Sequence, residues 1–200
     1  MGRKAIKKSR KNQTAKMSQW LELLLVKLQS VELSDLTIDD LAKMSGKSKA
    51  TIYKYFESKE DVILAACQTR IKVVMEIVFK IQQDKTTPIE VRYSRLLEQF
   101  SAGVSDITIS FLHDIKNHYP TSWAAINLFS DSFVTLLEEL YLTGMNNGLF
   151  RPMPIELLGT LDKYFVTQIV TNRQIFRNPE YTLNYLIRDY LLLRLEGLNK

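Results

Sequence analysis

The sequence predicts an all-α fold, and three observations carry that prediction. Gly and Pro number only 7 and 5 among 200 residues, so the chain has few breakers. No stretch sustains the period-2 alternation of a half-buried strand. Apolar residues instead recur three or four positions apart, as one buried helix face requires.

The elements follow in order. Residues 16–30 place Trp20, Leu24, Leu25 and Leu28 on one apolar face, which makes a first helix. Thr37-Ile38-Asp39-Asp40 reads as the capped start of a short second helix, with its hydroxyl accepting a backbone N–H and its acids at the positive end of the dipole. Ile38, Leu41 and Ala42 are expected to face inward from it. Gly46 can take the left-handed conformation that ends this helix, and Ser48 can cap the next, so two short helices meet at a tight turn. That is helix-turn-helix geometry. Ile52 and Phe56 supply the buried stripe of the third helix. Ser58-Lys59-Glu60-Asp61 opens a long fourth helix reaching about residue 82. Further along, Thr87-Pro88-Ile89-Glu90 reads as a cap with Pro at the first helical position, Gly103 as a helix end, Pro120 as preceding another start, and Asn178-Pro179 as the beginning of the last helix.

Charge narrows the partners. The formal net charge is +5, and all the excess lies in residues 1–16, which hold seven cations and no acid. Between Leu41 and Phe56 there are four lysines and again no acid. A polyanion would feel both segments together. The arm from Arg3 to Lys11 is expected to be disordered alone and to lie along a DNA backbone or in a minor groove. Cys67 is the single cysteine, so no internal disulfide forms and a reducing, cytoplasmic setting is expected. The run "WLELLLVKL" is interrupted by Glu22 and Lys27, and no segment is long enough to span a bilayer.

The segment "DLAKMSGKSKATIYKYFESKEDVI" resembles the DNA-binding region of the tetracycline-repressor family of bacterial regulators. Gly46, Ser48, Ala50, Thr51, Ile52, Tyr53, Tyr55, Phe56, Ser58, Lys59 and Glu60 match that family's pattern in order and without a gap. Two departures stand out: Lys47 replaces a small apolar residue of the turn, and the usual Gly before the second helix is absent from "SVELSDLT". The resemblance covers roughly residues 17–65. It implies an all-α chain with a basic arm over residues 1–15, a three-helix DNA-binding domain over 16–62, and a helical ligand-binding and dimerisation domain over 63–200.

The resemblance further implies roles. Thr37 and Lys59, at helix starts, would meet backbone phosphates; Tyr53 and Tyr55 would meet phosphate or sugar. Lys47, Ser48, Lys49, Ala50, Thr51 and Lys54 would face the groove, where small residues approach base edges and cations hold the walls. The expected partners are a double-stranded DNA operator and a small-molecule effector of unknown identity. Trp123, Asn127, Phe133, Tyr141 and Phe165 are the expected lining of the effector pocket.

Catalysis has no support in residues 66–200. No Gly-rich phosphate loop, Cys pair or Ser-His-Asp context is present, and His113 and His118 are five apart, a spacing that does not suit one metal on one helix face. Neither cofactor nor metal is expected. Residues 154–171 and 179–196 carry more large apolar groups than one inward face needs. Pairing them across a twofold axis would make a four-helix bundle and a homodimer, with Gly159 permitting close approach; packing within the monomer is the alternative. The leading reading is a DNA-binding regulator, in most such proteins a repressor, released from a palindromic operator by an effector. The competing one is an effector-independent helical DNA-binding or protein-interaction module.

Overall fold

The computed structural model describes residues 15–169, 171–172 and 182–199. The expected basic arm, apart from Ala15, and the expected helix start at Asn178-Pro179 lie outside the described residues. Every long element is a helix, and the described residues include no strand beyond an isolated bridge between Phe150 and Asn199.

Three helices form the N-terminal head: α1 (Ala15–Leu28), α2 (Ile38–Ser45) and α3 (Lys49–Tyr53). Met17, Leu21, Leu24, Leu25 and Leu28 give α1 its buried face, while Trp20 sits partly exposed with its ring edge-on to Phe56 at 6.1 Å. Thr37 closes a capping box with Asp40 at the start of α2, and Leu41 and Ala42 are buried beneath it. Gly46 ends α2 at φ 65°, a conformation that costs a residue with a Cβ roughly 1–2 kcal/mol. Ser48 then caps α3 by accepting from the Thr51 N–H. Ile52 and Phe56 anchor α3 in the core, as their spacing predicts.

The long α4 (Lys59–Gln83) starts at a second capping box, Ser58 with Asp61, and runs from the head into the rest of the molecule. The head–body boundary expected at residue 62 therefore falls inside a continuous helix. The body comprises α5 (Ile89–Gly103), α6 (Ile109–His118), α7 (Pro120–Asn146), α8 (Ile155–Tyr164) with a π-helical turn Phe165–Ile169, and α9 (Leu183–Leu198). Pro88 is the N-cap of α5 rather than its first helical residue, because the Thr87 hydroxyl turns back to Asp84. Pro120 opens α7 itself.

Side chains of α4 pack on α1, α5 and α7, which makes this helix the axis of the molecule. A buried polar knot fastens the far side. Asp162 of α8 is fully buried and accepts hydrogen bonds from the Tyr141 and Tyr190 hydroxyls and from Arg194 Nε at 2.8 Å. Burial and this carboxylate push the Tyr141 phenol far above its ordinary value. Gly159 lets α8 approach α7 within the chain: a Cβ there would collide with the Glu138 carboxylate. The close approach expected at this glycine is thus satisfied inside the protomer.

Candidate DNA-binding surface and ligand cavity

Helix α3 is anchored by one buried edge, and its opposite face is open. Lys47, Ser48, Lys49, Ala50, Tyr53 and Lys54 are exposed, with Tyr53 at 54%, and Thr51 and Tyr55 are half-buried. The Ser48 and Thr51 hydroxyls bond each other at 2.9 Å, which fixes the leading turn of α3, and the small Ala50 between them is exposed. Lys47 precedes the N-cap and Lys54 is the C-cap, and both are exposed. Lys49 differs, because its ammonium forms an exposed ion pair with Asp39 of α2.

The two helix-start residues are committed elsewhere. Thr37 gives its hydroxyl to the capping box with Asp40, although the side chain is exposed. Lys59 turns inward: its Nζ donates to the Leu36 carbonyl at 2.9 Å and lies 5.8 Å from the centre of the Tyr119 ring. A phosphate contact from Lys59 would have to compete with that carbonyl, a distinction that its position in the sequence could not reveal.

Several ties bind the head to the body. Leu33, in the loop before α2, donates its N–H to Asp114 Oδ2 of α6 at 3.3 Å and accepts from the Tyr119 hydroxyl at 2.7 Å. Gln29 Oε1 accepts from the Thr108 N–H at 2.9 Å, and Glu60 Oε1 from the Thr121 N–H at 3.1 Å. Arg70 of α4 makes a further tie. Its guanidinium forks onto Asp106, reaches the Gly103 carbonyl at 3.0 Å and donates through Nε to Glu22 of α1 at 2.9 Å. That cation holds the Asp106 carboxyl below the usual carboxylate range. None of these ties was signalled by a local motif.

Behind α4 lies an apolar cavity of about 90 Å³. Ile71, Val74, Phe100, Phe111, Trp123 and Phe129 form much of its wall, with Cys67 and Ser130 among the rest and Arg70 as its charged lining residue. Burial pushes the Cys67 thiol up to about 12. Of the five residues expected to line an effector pocket, Trp123 does so. Asn127 is half-buried and absent from the lining, Phe133 stacks on Phe100 within the core, Tyr141 belongs to the Asp162 knot, and Phe165 stacks on Tyr190. Aromatic identity marked them, but packing between helices decided their places. His113 lies beside Asp114 and Asn117, and among the described residues no three His, Cys, Asp or Glu side chains gather as metal ligands would.

One face of the body is apolar and uncovered. Leu157, Leu161 and Tyr164 repeat along α8 at helical spacing, and Leu193 on α9 is 68% exposed. No helix among the described residues is long and apolar enough to cross a membrane.

Comparison with known proteins places this geometry. Residues 32–66 match the model of the bacterial regulatory proteins of the tetR family, whose members are regulators rather than enzymes. YvaF of Bacillus subtilis (strain 168), an uncharacterized HTH-type transcriptional regulator, is 24% identical over 93 residues; the match spans 46% of this chain and about half, 49%, of that protein. The fatty acid metabolism regulator protein of the same organism is 22% identical over 173 residues, covering 81% of this chain and 84% of its own. Among solved structures, the fatty acid degradation regulator FadR from Bacillus halodurans superposes with a TM-score of 0.67 at 21% identity, over 92% of this chain and 97% of that one. FadR from Bacillus subtilis in complex with stearoyl-CoA gives 0.62 at 15% identity, over 90% and 99%. These likenesses establish a shared fold across head and body.

Proposed function

Because the chain belongs to the tetR family of bacterial regulatory proteins, we propose that it is a cytoplasmic transcriptional regulator that holds a palindromic operator as a dimer and lets go when a lipophilic ligand enters the cavity behind α4. The observation that carries the reading is the outward face of α3: Ala50 and Tyr53 are exposed on a helix whose other edge is locked by Ile52, and Lys47 and Lys54 are exposed beside its two ends. A helix so placed can enter a major groove, with Ala50 and Thr51 close to base edges and Lys47, Lys54 and Tyr53 against phosphates. Lys49 joins them once it exchanges Asp39 for a phosphate oxygen. Lys59 contributes least, being engaged with Leu36.

Two protomers joined through α8 and α9 would cover Leu157, Leu161, Tyr164 and Leu193. They would present two copies of α3 to successive major grooves about 34 Å apart. For the ligand, the apolar wall favours a hydrocarbon chain, and the stearoyl-CoA held by a protein of the same fold supports an acyl compound. The cavity is smaller than the roughly 300–1,000 Å³ typical of ligand sites. A long chain must therefore part the helices around it, and that parting is what would reach the head.

The test is gel retardation with the DNA upstream of the protein's own gene. Specific retardation that Tyr53→Ala abolishes and acyl-CoA reverses is expected. Equal affinity for random DNA would favour a non-specific DNA-binding module instead.

A further inference from the structure

The cavity and a second, open groove stand back to back across one seam. The groove lies between α4 and α5, where the exposed Val73, Gln99 and Ser105 lead down to Arg70 and Val74. Arg70 and Val74 also line the cavity, so the same two side chains face both spaces. A Cβ on Gly103 would stand 2.5 Å from Val74 Cγ2, so here the end of α5 rests on α4 with no side chain of its own between them. Beside that contact the Arg70 guanidinium forks onto Asp106, Nη2 meeting Oδ2 at 3.0 Å. Elsewhere Phe100, Phe111, Trp123 and Phe129 wall the cavity with full-sized rings.

We propose that this α4–α5 seam is the entrance to the cavity, that the Arg70–Asp106 fork is its latch, and that the groove receives the anionic end of an amphiphile whose chain fills the cavity. The occupant rests on the ligand-responsive reading above; the entrance does not. Opening requires Asp106 to leave Arg70, and a carboxylate or phosphate brought by the ligand satisfies the vacated donors where a neutral end would not. Arg70 simultaneously holds Glu22 of α1, so the group that admits the ligand is also a tie to the DNA-binding head. Entry and loosening of the head become one movement.

Cys67 reports on the entrance without any knowledge of the effector. It is the single thiol of the chain, lines the cavity and is buried, so a small neutral reagent such as N-ethylmaleimide reaches it only when the wall opens. Asp106→Asn keeps the volume and removes the ionic latch; labelling of Cys67 at constant pH is expected to accelerate severalfold to about tenfold. Glu76→Gln, which removes an exposed ion pair further along α4, leaves the rate unchanged. Asp162→Asn disturbs the buried knot on the far side and serves as the control for general loosening. An Asp106→Asn rate equal to wild type, or one matched by Asp162→Asn, would overturn the entrance.

The ligand arm uses dodecanoate, dodecyl phosphate and dodecanol as protectants of Cys67 in the wild-type protein. Protection by either anion and not by the alcohol supports the anionic end, and the better of the two tells carboxylate from phosphate. Equal protection by dodecanol overturns that assignment. Absence of protection by all three counts against the lipophilic-ligand reading, while the Asp106→Asn rate still decides the entrance.

Discussion

Replacing Tyr119 with Phe removes one oxygen from the junction between head and body and leaves the ring in place. Tyr119 is buried, and its hydroxyl donates to the carbonyl of Leu33, itself fully buried, at 2.7 Å. The Phe variant leaves that carbonyl with only the longer bond from the Leu36 N–H, at 3.4 Å, a loss of about 0.5–1.5 kcal/mol. For a chain of this length each kcal/mol lowers the unfolding midpoint by roughly 2–4 °C, so the variant should melt about 1–6 °C lower. The ring still supports the Lys59 ammonium, so the loss is specific to Leu33 and the loop that leads into α2. Circular dichroism melting measures the first effect, and operator affinity by fluorescence anisotropy measures the second, which should weaken because the loop no longer fixes the approach of α2 and α3. A midpoint within a degree of wild type together with unchanged operator affinity would refute the view that Leu33 joins head to body.

Four more outcomes follow from the same geometry. Ile52→Ala empties a fully buried site under α3 and should cost about 2–5 kcal/mol, seen by denaturant titration, with operator binding lost; Lys54→Ala should leave stability alone and flatten the salt dependence of binding. Leu161→Arg places a charge in the uncovered α8 stripe and should convert a dimer to monomers in sedimentation or light scattering at micromolar concentration, with the helical signal retained. Asp106 has a folded-state pKa below its unfolded value, so the Arg70 tie stabilises fully above about pH 4 and is lost as the pH falls further, through the depressed value. The stability gap between wild type and Asp106→Asn should accordingly stay constant from pH 7 to 5 and close in stronger acid.

The head was legible in the sequence because its determinants are local. Thr37, Gly46, Ser48 and Ser58 each act within three or four residues of themselves, and Ile52 and Phe56 need only a helical period to declare a buried edge. The body was legible as helices but not as a site. Leu33 and Asp114 are 81 positions apart and Arg70 and Asp106 are 36 apart, and nothing in the neighbourhood of either residue announces its partner. Tyr141 looked like a ligand contact for its ring and hydroxyl together. Its hydroxyl is consumed by Asp162, a buried carboxylate that it satisfies together with Tyr190 and Arg194. Trp123 reached the cavity because α7 crosses it there, a fact of helix packing rather than of residue type.

Two of the ties between head and body are carried by helices that wall the cavity. Arg70 and Val74 belong to α4, Phe111 and Leu112 to α6. The first helix holds α1 through Glu22; the second holds the loop before α2 through Asp114, with Tyr119 just beyond its end. A ligand larger than the cavity that displaces either of these walls reaches the head. Displacing α4 swings the helix from which the head continues, and displacing α6 pulls on Leu33. Close-packed side chains do not compress to absorb the added volume, so it is transmitted as movement of whole helices. A ligand that fits only the displaced arrangement then shifts the population by its difference in affinity for the two states, and in the proposed dimer the spacing of the two α3 helices shifts with it.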